Sequence, residues 1–143
     1  MKHDLSRATF IIPIKIESDD RLRNVITSIC FLLDNFDTTV MVKEVDDQSR
    51  FVTEALPQIL EFCDTIDGLV HSFEHSTAPS FHRQRVLNDM IMEAKTEIVV
   101  NYDCDILLPV ESYLSAYNSI LDNEADVVYP YGDGEYQYRV MAD

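Results

Sequence analysis

Glycine is the first scarcity in this chain: three in 143 residues, none of them in a G-x-x-x-x-G-K-[ST], G-x-G-x-x-G or G-x-S-x-G run. Those runs let a backbone wrap phosphate closely or set a nucleophile on a tight turn, so P-loop, dinucleotide-binding and serine-hydrolase chemistries have no support. Basic residues are the second scarcity. Eleven Lys and Arg stand against 26 Asp and Glu, a formal net charge of -15, which repels polyphosphate backbones and anionic lipid. Nucleic acid and membrane surfaces are therefore poor partners, although a small anion can still be held by a local cluster of Arg, Lys and metal. No apolar run approaches the roughly 20 residues of a membrane span, and the opening MKHDLSRATF lacks the apolar core of a signal peptide. The expected location is cytoplasmic. Cysteine is sparse too. Cys30, Cys63 and Cys104 are far apart, odd in number and set in apolar runs, so neither a disulfide framework nor a CxxC zinc site can be read from them, and buried free thiols are expected. With so few glycines and five prolines there is little room for linkers, and the length fits a single domain, 1–143.

What the chain does have is an alternation of two hydrophobic periods. ATFIIPIKI (8–16) is a nearly continuous apolar run of the kind found in a parallel sheet covered on both faces. Pro13 lacks a ladder donor, which assigns it to the strand's carboxyl end. In ESDDRLRNVITSICFLLDNF, Leu22, Val25, Ile26, Ile29, Leu32, Leu33 and Phe36 recur at helical spacing, with Ser18 or Asp19 as N-cap. TTVMVKEVDD is a short β-branched strand ending on Asp46 and Asp47, and residues 51–63 are predicted helical, with Pro57 interrupting or kinking them. DGLVHSFE is a third strand after the turn at Asp67 and Gly68. Over 81–95 a helix carries Val86, Leu87, Met90, Ile91 and Ala94 on one face and leads into a strand at 97–102. After Pro109, VESYLSAYNSILDN gives a further helix, ADVVYPY a further strand, and EYQYRV a strand beside it. Strands alternating with helices imply crossover units, hence a doubly wound α/β domain with a mostly parallel sheet.

In such folds ligands collect at the carboxyl ends of the strands, near the point where the strand order reverses. KIESDD, EVDDQS and YDCD all fall at predicted strand ends. Three acidic ends on one edge make a negative cleft, which is costly unless a cation or hydrogen-bond donors occupy it. The plainer alternative is that these acids cap the following helices and solvate the loops. Within EIVVNYDCDILLP the question is sharpest. An extended strand would turn Asp103 and Asp105 to one side and Cys104 to the other. Two hard oxygen ligands suit Mg²⁺ or Mn²⁺ and leave positions open for water and phosphate oxygens. A metal on a diphosphate neutralises the charge that grows on a leaving group. A lone D-x-D is a weak signal in so acidic a chain; its setting after a buried strand and before a helix gives it weight.

Upstream of that pair, Arg85, Leu87, Asn88 and Ala94 complete the pattern R-x-L-N-x5-A-x8-D-x-D. This resembles the segment preceding the metal-binding D-x-D of family 2 and related glycosyltransferases of the GT-A fold, the nucleotide-diphospho-sugar transferase class. FIIPIK followed by a helix and then VDDQS is similar to that family's first strand and the DDxS closing its second, and the three blocks keep its order and approximate spacing. The resemblance implies a base pocket lined by Pro13 with Ile14 and Lys15, contacts from Asp46 and Asp47 to base and ribose, Asp103 near ribose and metal, and Asp105 as direct ligand of Mn²⁺ or Mg²⁺. Arg85 and Asn88 would approach the nucleotide, Arg85 offsetting diphosphate charge. Ile14, Lys15 and Ile16 stand where the family often has an aromatic or Thr-Tyr-Asn-like stretch, so a phosphate contact from Lys15 is expected there in place of base stacking, and Gln48 replaces a usual glycine.

The implied activity is transfer of a sugar from a nucleotide-diphosphate donor, a UDP-sugar, to a hydroxyl of a glycan or other acceptor. The stretch after Asp105 is too short for the family's acceptor half and its catalytic base, neither of which can be assigned here; Glu111, Asp133 and Glu135 match no base. Two other classes account for parts of the pattern: a non-catalytic donor-binding remnant or α/β interaction domain, and a nucleotidyltransferase, for which PIKIESDD lacks the glycine-rich basic loop. His71 and His75 are too few for a zinc site, His82 is expected on the surface at a helix start, and Tyr129, Tyr131, Tyr136 and Tyr138 form an aromatic tail.

Overall fold

Four strands form one parallel sheet in the order β3-β2-β1-β4: β1 (His3–Ile14), β2 (Phe36–Asp46), β3 (Leu69–His75) and β4 (Ile98–Asn101). The structure is a computed structural model and describes residues 1–130. It divides into two units, Met1–Leu107 and Leu108–Asp143, each treated by itself below.

In the first unit, α1 (Asp19–Asn35) follows β1, α2 (Leu56–Phe62) follows β2 and α3 (Arg83–Glu93) follows β3. The helical period of α1 does what its sequence predicts: Leu22, Val25, Ile26, Ile29, Leu32 and Leu33 are all buried, and the Ser18 hydroxyl caps the first turn by accepting the Arg21 N–H. Phe36 departs from expectation. It is buried, but as the first residue of β2, where it stacks on Phe10 with ring centroids 6.3 Å apart and meets Phe31 of α1 edge-on. The opposite sheet face carries Ile11, Met41 and Val45, covered by Val86, Leu87 and Met90 of α3. Helices therefore cover both faces, the doubly wound α/β arrangement expected. Ile91 and Ala94 do not share the buried stripe of α3. Ile91 is exposed and Ala94 is already the C-cap, because the helix ends at Glu93.

β1 begins earlier than its apolar run. His3 and Asp4 pair with Phe36 and Asp37 before a register shift, after which Thr9 resumes against Thr39. Pro13 sits where its missing N–H costs nothing. The Ile11 carbonyl accepts the Tyr102 N–H at 3.1 Å, so odd-numbered residues of β1 point their polar groups toward β4. By Pro13 the β4 strand has ended. Pro57 is accommodated by a π-helical turn, Phe51–Ala55, in which the Leu56 N–H reaches back to the Phe51 carbonyl; α2 then starts with the proline in its first turn. Gly68 is required by close approach: a Cβ there would lie 2.2 Å from the Thr38 carbonyl oxygen, beside the bond from the Val40 N–H to the Gly68 carbonyl.

In the second unit, α4 (Val110–Leu121) ends in a Schellman motif. Asn123 takes the left-handed conformation with φ 59°, its N–H donates to the Ile120 carbonyl, and the Glu124 N–H donates to the Ser119 carbonyl. Residues 125–130 carry no strand, against the reading of ADVVYPY. Period-2 alternation would put Ala125, Val127 and Tyr129 on one face, but Val127 and Tyr129 are both exposed, so nothing covers that face. Tyr131, Asp133, Glu135, Tyr136, Tyr138 and the EYQYRV segment lie outside the described residues.

Candidate functional site at the carboxyl edge of the sheet

Because all four strands run parallel, their carboxyl ends share one edge. The chain steps outward from β1 to β2 to β3 and then returns across β1 to form β4. The order reverses between β1 and β4, the place where parallel sheets hold their ligands; Pro13, Ile14 and Lys15 lie at and just beyond the end of β1, beside the residues that follow Asn101 at the end of β4.

β4 stops at Asn101, so Asp103 and Asp105 are not carried by a continuing strand. Residues 103–106 form a turn closed by the Ile106 N–H on the Asp103 carbonyl at 3.4 Å. The expected alternation nevertheless holds in exposure: both carboxylates face solvent while Cys104 is buried. Three side chains hold the turn. The Tyr102 hydroxyl donates to the Ile106 carbonyl at 2.6 Å, with its ring edge-on to Phe10 at 5.5 Å. From α1, the buried Ser28 hydroxyl donates to the Cys104 carbonyl, and the Arg21 guanidinium lies 3.7 Å from the Cys104 sulfur. Burial pushes the Cys104 thiol up, and the Arg21 charge acts against that shift.

Asp103 meets a cation of the chain itself. Arg83, at the start of α3, places Nη2 2.6 Å from Asp103 Oδ1 and 3.3 Å from Asn101 Oδ1. Arg85 has other partners: its guanidinium pairs with both oxygens of Glu74 and, at 2.9 Å, with Asp89. Residues two positions apart on a helix lie about 200° around its axis from one another, which is why Arg83 reaches the end of β4 while Arg85 reaches β3. Asn88 is exposed on α3.

At the end of β2, Asp46 is half-buried and Asp47 exposed. Asp46 Oδ1 accepts the Asp47 N–H at 2.8 Å, and its carbonyl accepts the Ser76 N–H at 2.8 Å beyond β3. Beneath them lies a carboxylate that the motif pattern did not single out. Glu44 is fully buried and accepts the Ser49 hydroxyl at 2.6 Å and the Arg50 and Phe51 N–H groups at 3.0 Å each. His71, stacked on Phe51 at 4.4 Å, brings Nε2 to 3.7 Å from it. Burial alone would raise the Glu44 pKa, but His71, Ser49 and the Phe51 N–H together hold it below the usual carboxylate value. Glu44 thus fixes the DDQS loop from below. Arg50 joins that loop to the segment that follows β1: Nη1 donates to the Ile16 carbonyl at 3.0 Å while the same guanidinium forks onto Glu54. Pro13 and Ile14 are buried and Lys15 is half-buried.

Seven of the nine residues singled out in the sequence, Pro13, Ile14, Lys15, Asp46, Asp47, Asp103 and Asp105, therefore lie at or just beyond three adjacent strand ends; Arg85 and Asn88 lie on α3. Glu44 had a signal that went unread, since a carboxylate in line with the inward-facing Val40 and Val42 must be paired. Arg50, Arg83, Arg21 and Ser28 had none in the primary pattern. Among the described residues no group of three or more His, Cys, Asp or Glu side chains is arranged to hold a metal ion, and no helix among them is long and apolar enough to cross a membrane. Asp103 and Asp105 present to solvent hard carboxylate oxygens of the kind that bind Mg²⁺ or Mn²⁺.

No protein-family model matches the chain, and no curated protein does. Among solved structures it is similar to the mannosyltransferase PcManGT from Pyrobaculum calidifontis in complex with GDP-Man and Mn²⁺, at 22% identity and a TM-score of 0.49, over 80% of this chain and 31% of that one. The chain thus spans less than a third of that enzyme's length.

Proposed function

We propose that the chain is the donor-binding part of a metal-dependent glycosyltransferase, taking a nucleotide-diphosphate sugar, specifically a UDP-sugar, for transfer to an acceptor hydroxyl. The observation that carries this reading is the convergence of two acidic strand ends, Asp46 and Asp47 after β2 and Asp103 and Asp105 after β4, on either side of the end of β1. A parallel sheet offers its ligand crevice at that reversal. Acids gathered there are stabilised by a cation together with the hydrogen-bond donors of a base and ribose.

In this reading Asp105 and Asp103 hold Mn²⁺ or Mg²⁺, which when bound neutralises charge on the diphosphate leaving group. Pro13 and Ile14 border the base, and Asp46 and Asp47 accept its N–H and ribose hydroxyl protons. Lys15, half-buried just beyond β1, meets phosphate in this reading. Arg83 takes the diphosphate-facing role assigned from the sequence to Arg85, because Arg83 is the arginine that contacts Asp103. Transfer itself needs a base to deprotonate the acceptor, and none is assigned among these residues.

Calorimetric titration of UDP, with Mn²⁺ and then with chelator, tests the reading, with GDP in parallel for base choice. Metal-dependent binding of UDP supports it. Metal-dependent binding with no turnover of any UDP-sugar identifies a donor-binding remnant. Absence of binding of either nucleotide in both conditions overturns the reading and leaves an α/β interaction domain with solvated acids.

A further inference from the structure

Two of the three cysteines, 33 positions apart, are brought together by the fold. Cys30 lies on α1 and Cys63 closes α2, and their sulfurs are 3.2 Å apart with both thiols free. Neither residue belongs to the carboxyl-edge site, and the inference drawn from them stands independently of the proposed function. The packing of α1 against α2 fixes the approach, and the Cys63 N–H is tied to the Ile59 carbonyl at 2.9 Å. A disulfide is about 2.05 Å long, so the sulfurs need to close by about 1 Å. Access is asymmetric: Cys63 is buried, whereas Cys30 is partly exposed. Cys104 sits elsewhere, buried under the 103–105 turn beside Arg21.

We propose that Cys30 and Cys63 are a redox-closable thiol pair, oxidised by a low-molecular-weight disulfide such as glutathione disulfide to an intramolecular bond that staples α1 to the end of α2. The Cys30 thiol loses its proton and its thiolate attacks one sulfur of the glutathione disulfide. That forms a mixed disulfide and releases one glutathione thiolate, which takes up a proton. The Cys63 thiolate then attacks the Cys30 sulfur, forming the Cys30–Cys63 bond and expelling the second glutathione. Two protein thiols are oxidised and one small disulfide is reduced to two thiols. The reduced pair is slow to react. Burial, with the neighbouring Cys63 thiol and the Asp34 carboxylate, pushes Cys30 up to about 12. Burial also raises Cys63, with Asp34 and Asp64 adding to the shift and Cys30 and Lys2 opposing it. Closure is therefore a response to sustained oxidation. It acts on the helix that carries Ser28 and Arg21 to the acidic turn.

The test incubates the full chain with glutathione disulfide and follows intact mass, non-reducing peptide mapping and thermal unfolding. The expected result is a mass loss of about 2 Da, the two thiol hydrogens, and a Cys30–Cys63 linked peptide. Tm should rise by several degrees, as closing a loop of this size implies, and all three changes should reverse with dithiothreitol. Cys63→Ser should instead keep a glutathione adduct on Cys30 with no rise in Tm, and Cys104→Ser should behave as the unsubstituted chain. Three outcomes overturn the proposal: a persistent glutathione adduct on Cys30 in the unsubstituted chain, a linked peptide containing Cys104, or a Cys30 that reacts only after denaturant is added.

Discussion

The Arg83 guanidinium lies 2.6 Å from the Asp103 carboxylate, so the acid proposed to share a divalent cation is already met by a cation of the chain. Both groups are about half exposed, and such pairs are worth on the order of 0.2–1 kcal/mol. Replacing Arg83 by Gln should remove that competitor. Mn²⁺ alone should bind Arg83→Gln up to about fivefold more tightly in an electron-paramagnetic titration. UDP with Mn²⁺ should bind it more weakly, because the diphosphate loses a charged donor. Equal losses in both titrations would show that Arg83 only supports the turn.

Glu44 supplies a pH dependence whose sign is fixed by its surroundings. Its folded pKa is held below 4.5, so its stabilising contribution is fully present above that value and is lost as pH falls through the lower, folded one. Glu44→Gln should destabilise the chain at pH 7 by about 2 kcal/mol, since charge-assisted bonds to Ser49, Arg50 and Phe51 are weakened. Urea unfolding of both proteins should show the gap narrowing as pH drops below 4.5. A gap independent of pH would deny Glu44 its ionised role.

Gly68→Ala should cost about 2 kcal/mol or more, as overpacking against a backbone atom does. Its Cβ would sit 2.2 Å from the Thr38 carbonyl oxygen, which cannot move aside without disturbing the β2 and β3 pairing. Denaturant unfolding measures this directly, and a loss under a few tenths of a kcal/mol would contradict the close approach.

Ser28→Ala should cost about 1 kcal/mol, because the Cys104 carbonyl loses its buried donor. The turn bearing Asp103 and Asp105 should loosen with it. Under the proposed function, metal-dependent UDP affinity falls several-fold in this variant while its chelator-treated baseline does not change.

Local rules were enough for the elements whose partners are close in sequence. The Ser18 cap, the apolar stripe of α1 and the position of Pro13 follow from spacing and from the missing proline donor. The elements that failed depend on partners far away in the chain. Phe36 continues the helical period of α1 yet opens β2, because Phe10 and a parallel strand claim it. Residues 125–130 have strand-like composition, but composition does not supply a ladder. The acidic strand ends were legible because the alternation of strands and helices fixes which edge they occupy. What holds them was not. Glu44 reaching Phe51 and His71, Ser28 reaching Cys104, and Arg83 reaching Asp103 while Arg85 reaches Glu74 depend on helix rotation and on contacts across the sheet. The same holds for Cys30 and Cys63, which read as separate buried thiols and lie 3.2 Å apart.

The central claim is that one edge of the sheet binds a metal and a nucleotide together, and paramagnetic broadening of backbone amide signals by Mn²⁺ in the presence of UDP tests it most directly. The account predicts that signals from 14–17, 45–49 and 102–106 broaden first, that Thr38 and Gly68 at the amino edge stay sharp, and that the pattern weakens when UDP is withdrawn or Asp105 is changed to Asn. Broadening scattered over the surface acids, or unchanged by UDP and by Asp105→Asn, would contradict it.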